Sequence, residues 1–161
     1  MTAKCNLIID SCCDLPLEMV QREGVYLVEF PFLFDTEQHL DDFGVSMPAK
    51  EFYDRMRKGN FPTTSQISIP AYTEVFERAA QSGIPTVYLS FSSALSGSYN
   101  VSLLVRDQLQ EKYPEMQLRI VDTKLASVAE GALVYEALRQ RDAGLTAEEL
   151  VEWAAEARYL L

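Results

Sequence analysis

Two short segments of the chain are dense in hydroxyl groups. The first, 61–66, reads Phe-Pro-Thr-Thr-Ser-Gln, and the second, 90–99, carries five serines: Ser90, Ser92, Ser93, Ser96 and Ser98. Hydroxyls and the free N–H groups of a helix N-terminus can together hold an anion without a cation. Neither segment contains lysine, arginine or histidine. The pattern therefore predicts a site that holds an acidic head group and supplies little proton-transfer chemistry.

A serine in these segments could also be a nucleophile, and any single one could simply cap a helix. A nucleophilic serine needs a general base, and the only histidine of the chain is His39, in a predicted polar loop. The sequence also lacks G-x-S-x-G, a P-loop and a dinucleotide fingerprint. We therefore predict that the chain is not an enzyme. The alternatives are an enzyme or regulatory module that binds another small acidic ligand, and a protein-interaction module.

No metal site or cofactor is predicted. The three cysteines, Cys5, Cys12 and Cys13, lack the spacing of a metal site and are expected to be small buried residues. The adjacent acids Asp41 and Asp42 could bind a cation, but two neighbouring loop acids are weak evidence for one.

Composition limits the partners. The net charge of −10 argues against nucleic acid, because phosphate contacts need clustered lysine and arginine. No apolar run approaches the ~20 residues of a membrane span, and the N-terminus lacks the apolar region of a signal peptide. The 161 residues fit one domain, and we expect a cytoplasmic location.

Strand and helix patterns alternate along the chain. Buried or β-branched runs predict strands at 5–9, 25–34, 86–90 and 117–121, with Pro31 breaking or bulging the second. Capping signals predict helices over 15–24, 48–58, 69–81, 96–112, 127–143 and from 146 onward. A polar loop is predicted over 35–45. This order indicates an α/β fold in which helices cover both faces of a mostly parallel sheet.

At the hydroxyl-rich segments the chain resembles the DegV family. Residues 9–16, Ile-Asp-Ser-Cys-Cys-Asp-Leu-Pro, are similar to its opening D-S-[TS]-[AS]-D-L-[PS] block. Residues 62–66 are similar to its [PK]-T-[ST]-Q region, and 95–99, Leu-Ser-Gly-Ser-Tyr, to its L-S-G-T-Y. Weaker similarity covers 51–53, 121–123 and 127–131. The blocks keep their order and spacing over the whole chain, so jointly they are specific.

The resemblance implies a protein that binds a long-chain fatty acid. In that family the threonine of T-S-Q and the serine of L-S-G hold the carboxylate. These two residues correspond to Thr64 and Ser96 of this chain. The neighbouring candidates are Ser65, Ser93, Gly97 and Ser11. The resemblance also implies a partner, because some members present the fatty acid to a fatty acid kinase.

The chain departs from the family pattern in several places. Cys12 and Cys13 replace small hydroxyl residues or alanine, and the loop around 41–46 differs. The family's second domain, with a G-G-R-[IL] segment and a histidine near the ligand head, is absent. We therefore expect 1–161 to be a single α/β N-terminal domain. Its uncovered apolar surface and a very apolar final helix (Val151, Trp153, Ala154, Ala157, Tyr159, Leu160, Leu161) predict self-association as a homodimer.

Overall fold

The computed structural model of the chain describes residues 3–160. Its strands are β1 (Asn6–Asp10), β2 (Val25–Val28), β3 (Pro31–Phe34), β4 (Glu37–Leu40), β5 (Thr63–Thr64), β6 (Thr86–Ser90) and β7 (Leu118–Asp122). Its α-helices are α1 (Leu17–Val20), α2 (Ala49–Arg57), α3 (Ile69–Gln81), α4 (Ser98–Lys112), α5 (Ser127–Asp142) and α6 (Ala147–Ala157). A 3₁₀ turn, Ser11–Cys13, follows β1.

Four strands form a parallel sheet in the order β2-β1-β6-β7. β2 lies on one side of β1, and β6 lies on the other side. The direction in which successive strands extend the sheet therefore reverses between β1 and β6. Ligands of open α/β sheets bind at such a switch point, outside the carboxyl ends of the strands. The predicted α/β class is confirmed, and the fold places a crevice beside Asp10 and Ser90.

Alternate residues of the parallel strands enter two separate cores. Leu7 and Ile9 of β1 face α5 and α6, whereas Ile8 faces α3 and α4. Both sets are fully buried, as expected for a parallel strand covered on each face. The prediction that helices flank both faces is therefore confirmed.

A second, antiparallel sheet has the strand order β4-β3-β5. The prediction of one strand over 25–34 is wrong, because β2 ends at Val28 and β3 starts anew at Pro31. The predicted polar loop over 35–45 is also wrong in part, since Glu37–Leu40 forms β4. A two-residue connection joins β3 to β4, with Asp35 at φ +54°. Tertiary pairing with β3 thus overrides the polar character of β4.

The first helix also differs from the sequence prediction. The predicted helix over 15–24 shortens to Leu17–Val20, and Asp14 adopts a left-handed conformation at φ +50° instead of capping it. Asp10 caps the 3₁₀ turn in its place by accepting the N–H of Cys12. Farther along, α2 begins after Pro48 without a side-chain cap.

Later helix boundaries agree with their capping signals. Ser68 accepts the N–H of Ala71 at the start of α3, and Thr146 and Glu149 form the predicted capping box of α6. None of the helices within residues 3–160 combines the length and apolar character that a membrane span requires.

The final helix exposes less apolar surface than its composition suggests. Ala154 is fully buried, and Val151 and Trp153 pack against the core of the parallel sheet. Tyr159 and Leu160 are exposed, and Leu161 lies outside the described residues. The packing of α6 therefore removes part of the argument for a homodimer, which stays a prediction.

Gly131 allows α5 to pack directly on the 3₁₀ turn. A Cβ atom at this position would overlap the backbone carbonyl oxygen of Cys13. We expect Gly131→Ala to lower the free energy of unfolding by about 1–3 kcal/mol despite the better helix propensity of alanine, because the carbonyl belongs to a buried turn.

Chemical denaturation followed by circular dichroism measures this change. Ala132→Ser, on the exposed side of the same helix, is the matched control and should change stability by less than about 0.5 kcal/mol. A Gly131→Ala protein as stable as the wild type would show that α5 and the turn are not in close contact.

Candidate functional site

A cleft of about 1070 Å³ opens at the switch point, between the parallel sheet and the small antiparallel sheet. Its walls come from the turn after β1, the strand β3, the loop 40–48, the helix α2, the segment 64–66 and the loop after β6. A cleft of this size accommodates a small organic molecule. The two hydroxyl-rich segments of the sequence meet at one end of it.

Backbone pairing positions the first hydroxyl-rich segment. Thr64 lies opposite Phe32 in the register of β5 with β3, and the N–H of Ser65 donates to the carbonyl of Pro31 at 3.4 Å. Both residues line the cleft and are exposed. Pairing with β3 therefore brings Thr64 and Ser65 to the rim of the cleft. The sequence did not indicate this placement, because the segment follows a helix rather than a strand.

The second segment leads into the N-terminus of α4. Gly97 is the N-cap residue and provides no side-chain cap for the helix. A Cβ atom at Gly97 would meet Oε1 of Gln66 at 2.5 Å, so the two segments are in close contact. Ser96 and Gly97 line the cleft. The N-terminus of α4, with the positive end of its dipole, therefore lies at this end of the cleft.

Buried Ser98 links the two hydroxyl-rich segments by hydrogen bonds. Its Oγ accepts the N–H of Ile67 at 3.0 Å and lies 2.9 Å from Oγ of Ser96. The N–H of Ser98 donates to Oγ of Ser96 at 3.1 Å. Ser98 is fully buried, whereas Ser96 is half-buried at the cleft. This arrangement fixes Ser96 relative to the Thr64 segment.

The charges of the cleft are unevenly distributed. Asp14, Asp41 and Asp42 also line the cleft, and no lysine, arginine or histidine is among the described lining residues. Burial raises the pKa of Asp41, and hydrogen bonds with the Phe43 N–H and with Ser11 act against that rise. An anion in this cleft is favoured beside the hydroxyl groups and repelled beside these carboxylates.

Aromatic and aliphatic side chains form most of the remaining wall. Phe52 of α2 packs edge-on against Phe32 and Phe34, with ring centroids 5.4 and 5.2 Å apart. Across the cleft, Phe30 and Phe91 are in edge contact at 5.6 Å. The other apolar lining residues are Leu15, Leu17, Leu40, Phe43, Met47, Tyr53 and Leu95. The cleft therefore combines one polar end with an apolar body.

Part of this apolar wall faces solvent. Leu95 is 68% exposed, Tyr53 53% and Leu40 45%. Large apolar side chains that cluster around a cleft mark a surface that binds an apolar group.

Ser93 does not line the cleft. Its hydroxyl donates to Oδ2 of Asp122, and Nζ of Lys124 donates to Oγ of Ser93 at 2.8 Å. Burial acts to raise the pKa of Asp122, but the hydrogen bonds from Lys124 and Ser93 outweigh it and the pKa is lowered. Ser93 therefore joins the loops after β6 and β7.

Ser11 is also outside the cleft. It is fully buried, and its Oγ accepts the N–H of Phe30 at 3.0 Å. Ser11 thereby places Phe30 in the cleft wall, which makes its contribution to the site indirect. Thr64, Ser65, Ser96 and Gly97 are the predicted residues that the structure brings together.

His39 lies in β4 rather than in a solvated loop. Its ring stacks on Phe32 at 5.2 Å, and its Nε2 lies 3.3 Å from Oε2 of Glu37. The side chain is 17% exposed. His39 thus belongs to the aromatic cluster around Phe32 and is not among the residues that line the cleft.

Sequence patterns missed most of the apolar wall. Phe30, Phe91 and Cys12 follow strand ends, and the loop 40–48 has no periodicity, so no local pattern assigned them to a site. Phe52 lies in a predicted helix and in a weaker block of the family resemblance, and neither signal assigns it to a site. Asp42 stabilises the loop 40–48 by accepting hydrogen bonds from the N–H groups of Val45 and Ser46.

Four parallel strands with a cleft at their switch point define an α/β protein with a candidate ligand site. The family described as "Uncharacterised protein, DegV family" matches residues 4–159. The chain belongs to the DegV family, which confirms the resemblance of its motifs. A DegV domain-containing protein of Clostridium perfringens is 37% identical over 150 residues, covering 93% of this chain and 52% of the relative. The chain spans about half the length of the curated relatives it matches.

Two solved structures share the fold. A stearic acid-binding protein from Eubacterium ventriosum is 29% identical, with a TM-score of 0.84 over 96% of this chain and 52% of its own. A fatty acid-binding DegV family protein from Thermus thermophilus is 25% identical, with a TM-score of 0.83 over 97% of this chain and 54% of its own. Both relatives are thus described as fatty acid-binding proteins.

The cysteines near the cleft should be poor nucleophiles. Burial, followed by the neighbouring carboxylates, raises the pKa of Cys12 far above its usual range, and burial raises that of Cys13 to about 12. Because the thiolate is the reactive form, we expect a disulfide reagent to modify the folded protein much more slowly than the unfolded protein at neutral pH.

The reaction is followed by absorbance of the released reagent thiolate, with and without denaturant. The unfolded chain serves as the internal control, since all three cysteines then have ordinary pKa values. Cys12 is the only one of the three cysteines that is not fully buried. Rapid reaction of one thiol in the folded protein would therefore identify Cys12 as an activated group and contradict the prediction.

Proposed function

We propose that this chain binds a long-chain fatty acid, with its carboxylate at Thr64, Ser65, Ser96 and Gly97 and its tail along the apolar cleft. The observation that carries the proposal is the asymmetry of the cleft: hydroxyl groups and the N-terminus of α4 at one end, and apolar side chains along the body. A molecule that matches this surface has one anionic head and one long apolar tail. The two fatty acid-binding relatives support the same ligand class.

The tail supplies most of the affinity in this arrangement. A sixteen-carbon acid has about 14 methylene groups, which at ~0.8 kcal/mol each contribute roughly 11 kcal/mol when fully buried. Each hydrogen bond to the carboxylate adds about 1.5–3 kcal/mol. Because Leu95, Tyr53 and Leu40 remain exposed, this chain buries only part of the tail. The hydroxyl groups mainly orient the ligand and offset the desolvation of its charge.

The carboxylates of the cleft disfavour an anionic head group beside them. Asp14, Asp41 and Asp42 would repel a carboxylate, so the head lies at Ser96 and the tail extends past Phe30 and the α2 wall. An acidic ligand without a tail gains nothing from that wall. This argument favours a fatty acid over a small acidic metabolite.

The proposal includes no chemical step by this chain. Ser96 and Thr64 have no histidine or lysine beside them among the described lining residues, and the Cys12 thiol is held protonated by burial. Binding and presentation of the ligand need neither a base nor a nucleophile. The chain therefore acts as a carrier in this proposal.

A fatty acid kinase is the partner that the family resemblance implies. Phosphorylation of a bound fatty acid requires access to its carboxylate, and Thr64 and Ser65 are exposed at the rim. A second protein could therefore reach the head group while the tail stays in the cleft. Residues 1–161 act in this proposal as one α/β domain that carries one wall of the site.

Removing both hydroxyls should weaken fatty acid binding and leave the fold intact. We expect Thr64→Val combined with Ser96→Ala to lower the affinity for palmitate by about tenfold or more, because at least one hydrogen bond to a charged group is lost. Displacement of a fluorescent fatty acid measures the change.

Ser93→Ala is the matched control, since Ser93 lies in the same loop but outside the cleft, and its affinity should equal that of the wild type. Equal affinities for the double variant and the wild type would place the head group elsewhere. Mass spectrometry of a solvent extract of the purified protein tests the ligand class directly. A nucleotide or phosphosugar in that extract would contradict the proposal.

A further inference from the structure

The two edges of the parallel sheet differ in how well they are blocked. β2 and β7 are its terminal strands, and no strand of the described residues pairs with either outer edge. Natural proteins block such edges with charged residues or proline, because the free N–H and C=O groups otherwise pair with another chain. β7 contains Arg119, which forms an ion pair with Glu148 of α6. β2 reads Val-Tyr-Leu-Val and contains neither a charge nor a proline.

The strand register shows which backbone groups of β2 face the open edge. Leu7 of β1 lies opposite Val25, and the N–H of Leu7 donates to the carbonyl of Gly24 at 2.9 Å. Successive residues of a strand direct their backbone groups to alternate sides. The groups of Gly24 and of every second residue after it therefore face β1, whereas those of Val25 and Leu27 face the open edge.

One of these outward groups already has a partner. The N–H of Val25 donates to the carbonyl of Arg22 at 3.2 Å, in the turn before β2. The carbonyl of Val25 and both backbone groups of Leu27 are left for a further strand, and the same alternation adds the N–H of Glu29. An extended chain beside β2 can therefore form several backbone hydrogen bonds.

An apolar groove runs along this edge. The side chains of Val25 and Leu27 pack on the core under α5 and α6 and are only half-buried. Together with α1 and the loop 42–45 they line a groove of about 590 Å³. The other apolar lining residues are Ile9, Leu17, Val20 and Val45. A strand that pairs with β2 and places apolar side chains on this face would cover the groove.

The two ends of the groove carry opposite charges. Arg22 lines one end and is 39% exposed, although one of its nitrogen atoms bonds to Asp142 at 2.9 Å. Glu29 lines the other end, directly after β2. Burial raises the pKa of Glu29, and three nearby carboxylates raise it further, those of Asp42, Asp41 and Glu74. The occupant of this edge should therefore carry a cation at the Glu29 end and a carboxylate at the Arg22 end.

A second copy of β2 meets both requirements when it runs antiparallel to the first. The start of each strand then lies beside the end of the other, so Arg22 lies near the partner's Glu29, and Glu29 near the partner's Arg22. A two-fold axis perpendicular to the sheet also keeps the Leu27 side chains of both copies on one face. The two apolar grooves then adjoin and cover each other.

The charges and the backbone also select the register. With Leu27 opposite the partner's Leu27, these two residues exchange both N–H···O bonds, and the N–H of Glu29 donates to the carbonyl of the partner's Val25. One neighbouring register places Glu29 opposite the partner's Glu23, which like charges disfavour. The other places Val25 opposite the partner's Pro31, which has no N–H.

We propose that the β2 edge binds a second copy of this chain, so that the four parallel strands of each copy join into one sheet with the order β7-β6-β1-β2-β2-β1-β6-β7. This contact differs from the one that the exposed apolar surface and the end of α6 predict from the sequence. It does not depend on the proposed function, because no ligand takes part in it.

A charge-reversal experiment tests this interface. We expect sedimentation equilibrium at physiological ionic strength to show a dimer that dissociates on dilution through micromolar concentrations. Arg22→Glu and Glu29→Arg each replace both opposite-charge contacts with like-charge contacts, and each should raise the dissociation constant by about tenfold or more. Glu29→Arg makes the chain less negative, so an effect of net charge alone would strengthen its dimer.

Mixing the two variants provides the sharpest comparison. In a heterodimer of Arg22→Glu with Glu29→Arg, an acidic group faces a basic group at both contacts. The mixture should therefore dimerise with about the wild-type affinity, although neither variant does so alone. Circular dichroism checks that both variants are folded.

Two further measurements serve as controls. Arg119→Glu changes the charge as Arg22→Glu does but lies in β7, at the opposite edge of the sheet, and should leave the dimer unchanged. Hydrogen exchange of the wild type needs no variant. The Leu27 amide should be protected at concentrations where the dimer forms and should exchange faster after dilution.

Each result supports or overturns the proposal. A wild-type chain that stays monomeric throughout micromolar concentrations would overturn it. A dimer that both charge reversals leave intact, or a mixture of the variants that does not dimerise, would also contradict it. A Leu27 amide whose exchange rate does not change with dilution would exclude β2 as the contact. None of these measurements uses a fatty acid, so the proposed function stands or falls separately.

Discussion

The hydrogen bonds that the buried carboxylate of Asp10 accepts are the interactions on which the rest of the structure depends. At the end of β1 it accepts the N–H of Cys12, which shapes the 3₁₀ turn, and the N–H of Phe91, which directs the chain after β6. These two loops flank the switch point of the parallel sheet. A buried carboxylate without such partners would cost several kcal/mol, so the three donors around Asp10, including Tyr88, are a condition for the fold.

The cleft is built from parts of different rigidity. One wall belongs to the parallel sheet, whose strands are buried on both faces. The other belongs to a small antiparallel sheet of short strands and the helix α2, none of whose residues is fully buried. Elements with few buried apolar contacts open at low free-energy cost. The α2 side is therefore the wall that can adjust to a tail, while the Ser96 end keeps its geometry through Ser98 and Ile67.

The proposed neutral anion site is compatible with an acidic protein surface, because the two act on a ligand at different ranges. The net charge of −10 keeps the protein in solution, but it also repels anions. Screening confines that repulsion to about 8 Å at physiological ionic strength. In the proposed complex, Thr64 and Ser96 contact the head group directly, and burial of a long tail would far exceed the residual repulsion.

The sequence alone determined the elements whose signals are local. Apolar runs identified the parallel strands, and capping residues such as Ser68 and Thr146 marked helix starts. The blocks around Thr64 and Ser96 identified the family. Tertiary structure decided the rest. Only pairing with β3 turned the polar segment 37–40 into a strand. Only the hydrogen bond of Ser93 to Asp122 at the end of β7 placed Ser93 outside the cleft that Ser96 lines. The physical reason is that propensity and capping act within a few residues, whereas the cleft depends on contacts between residues as distant as Asp10 and Tyr88, which meet only when the sheet has formed.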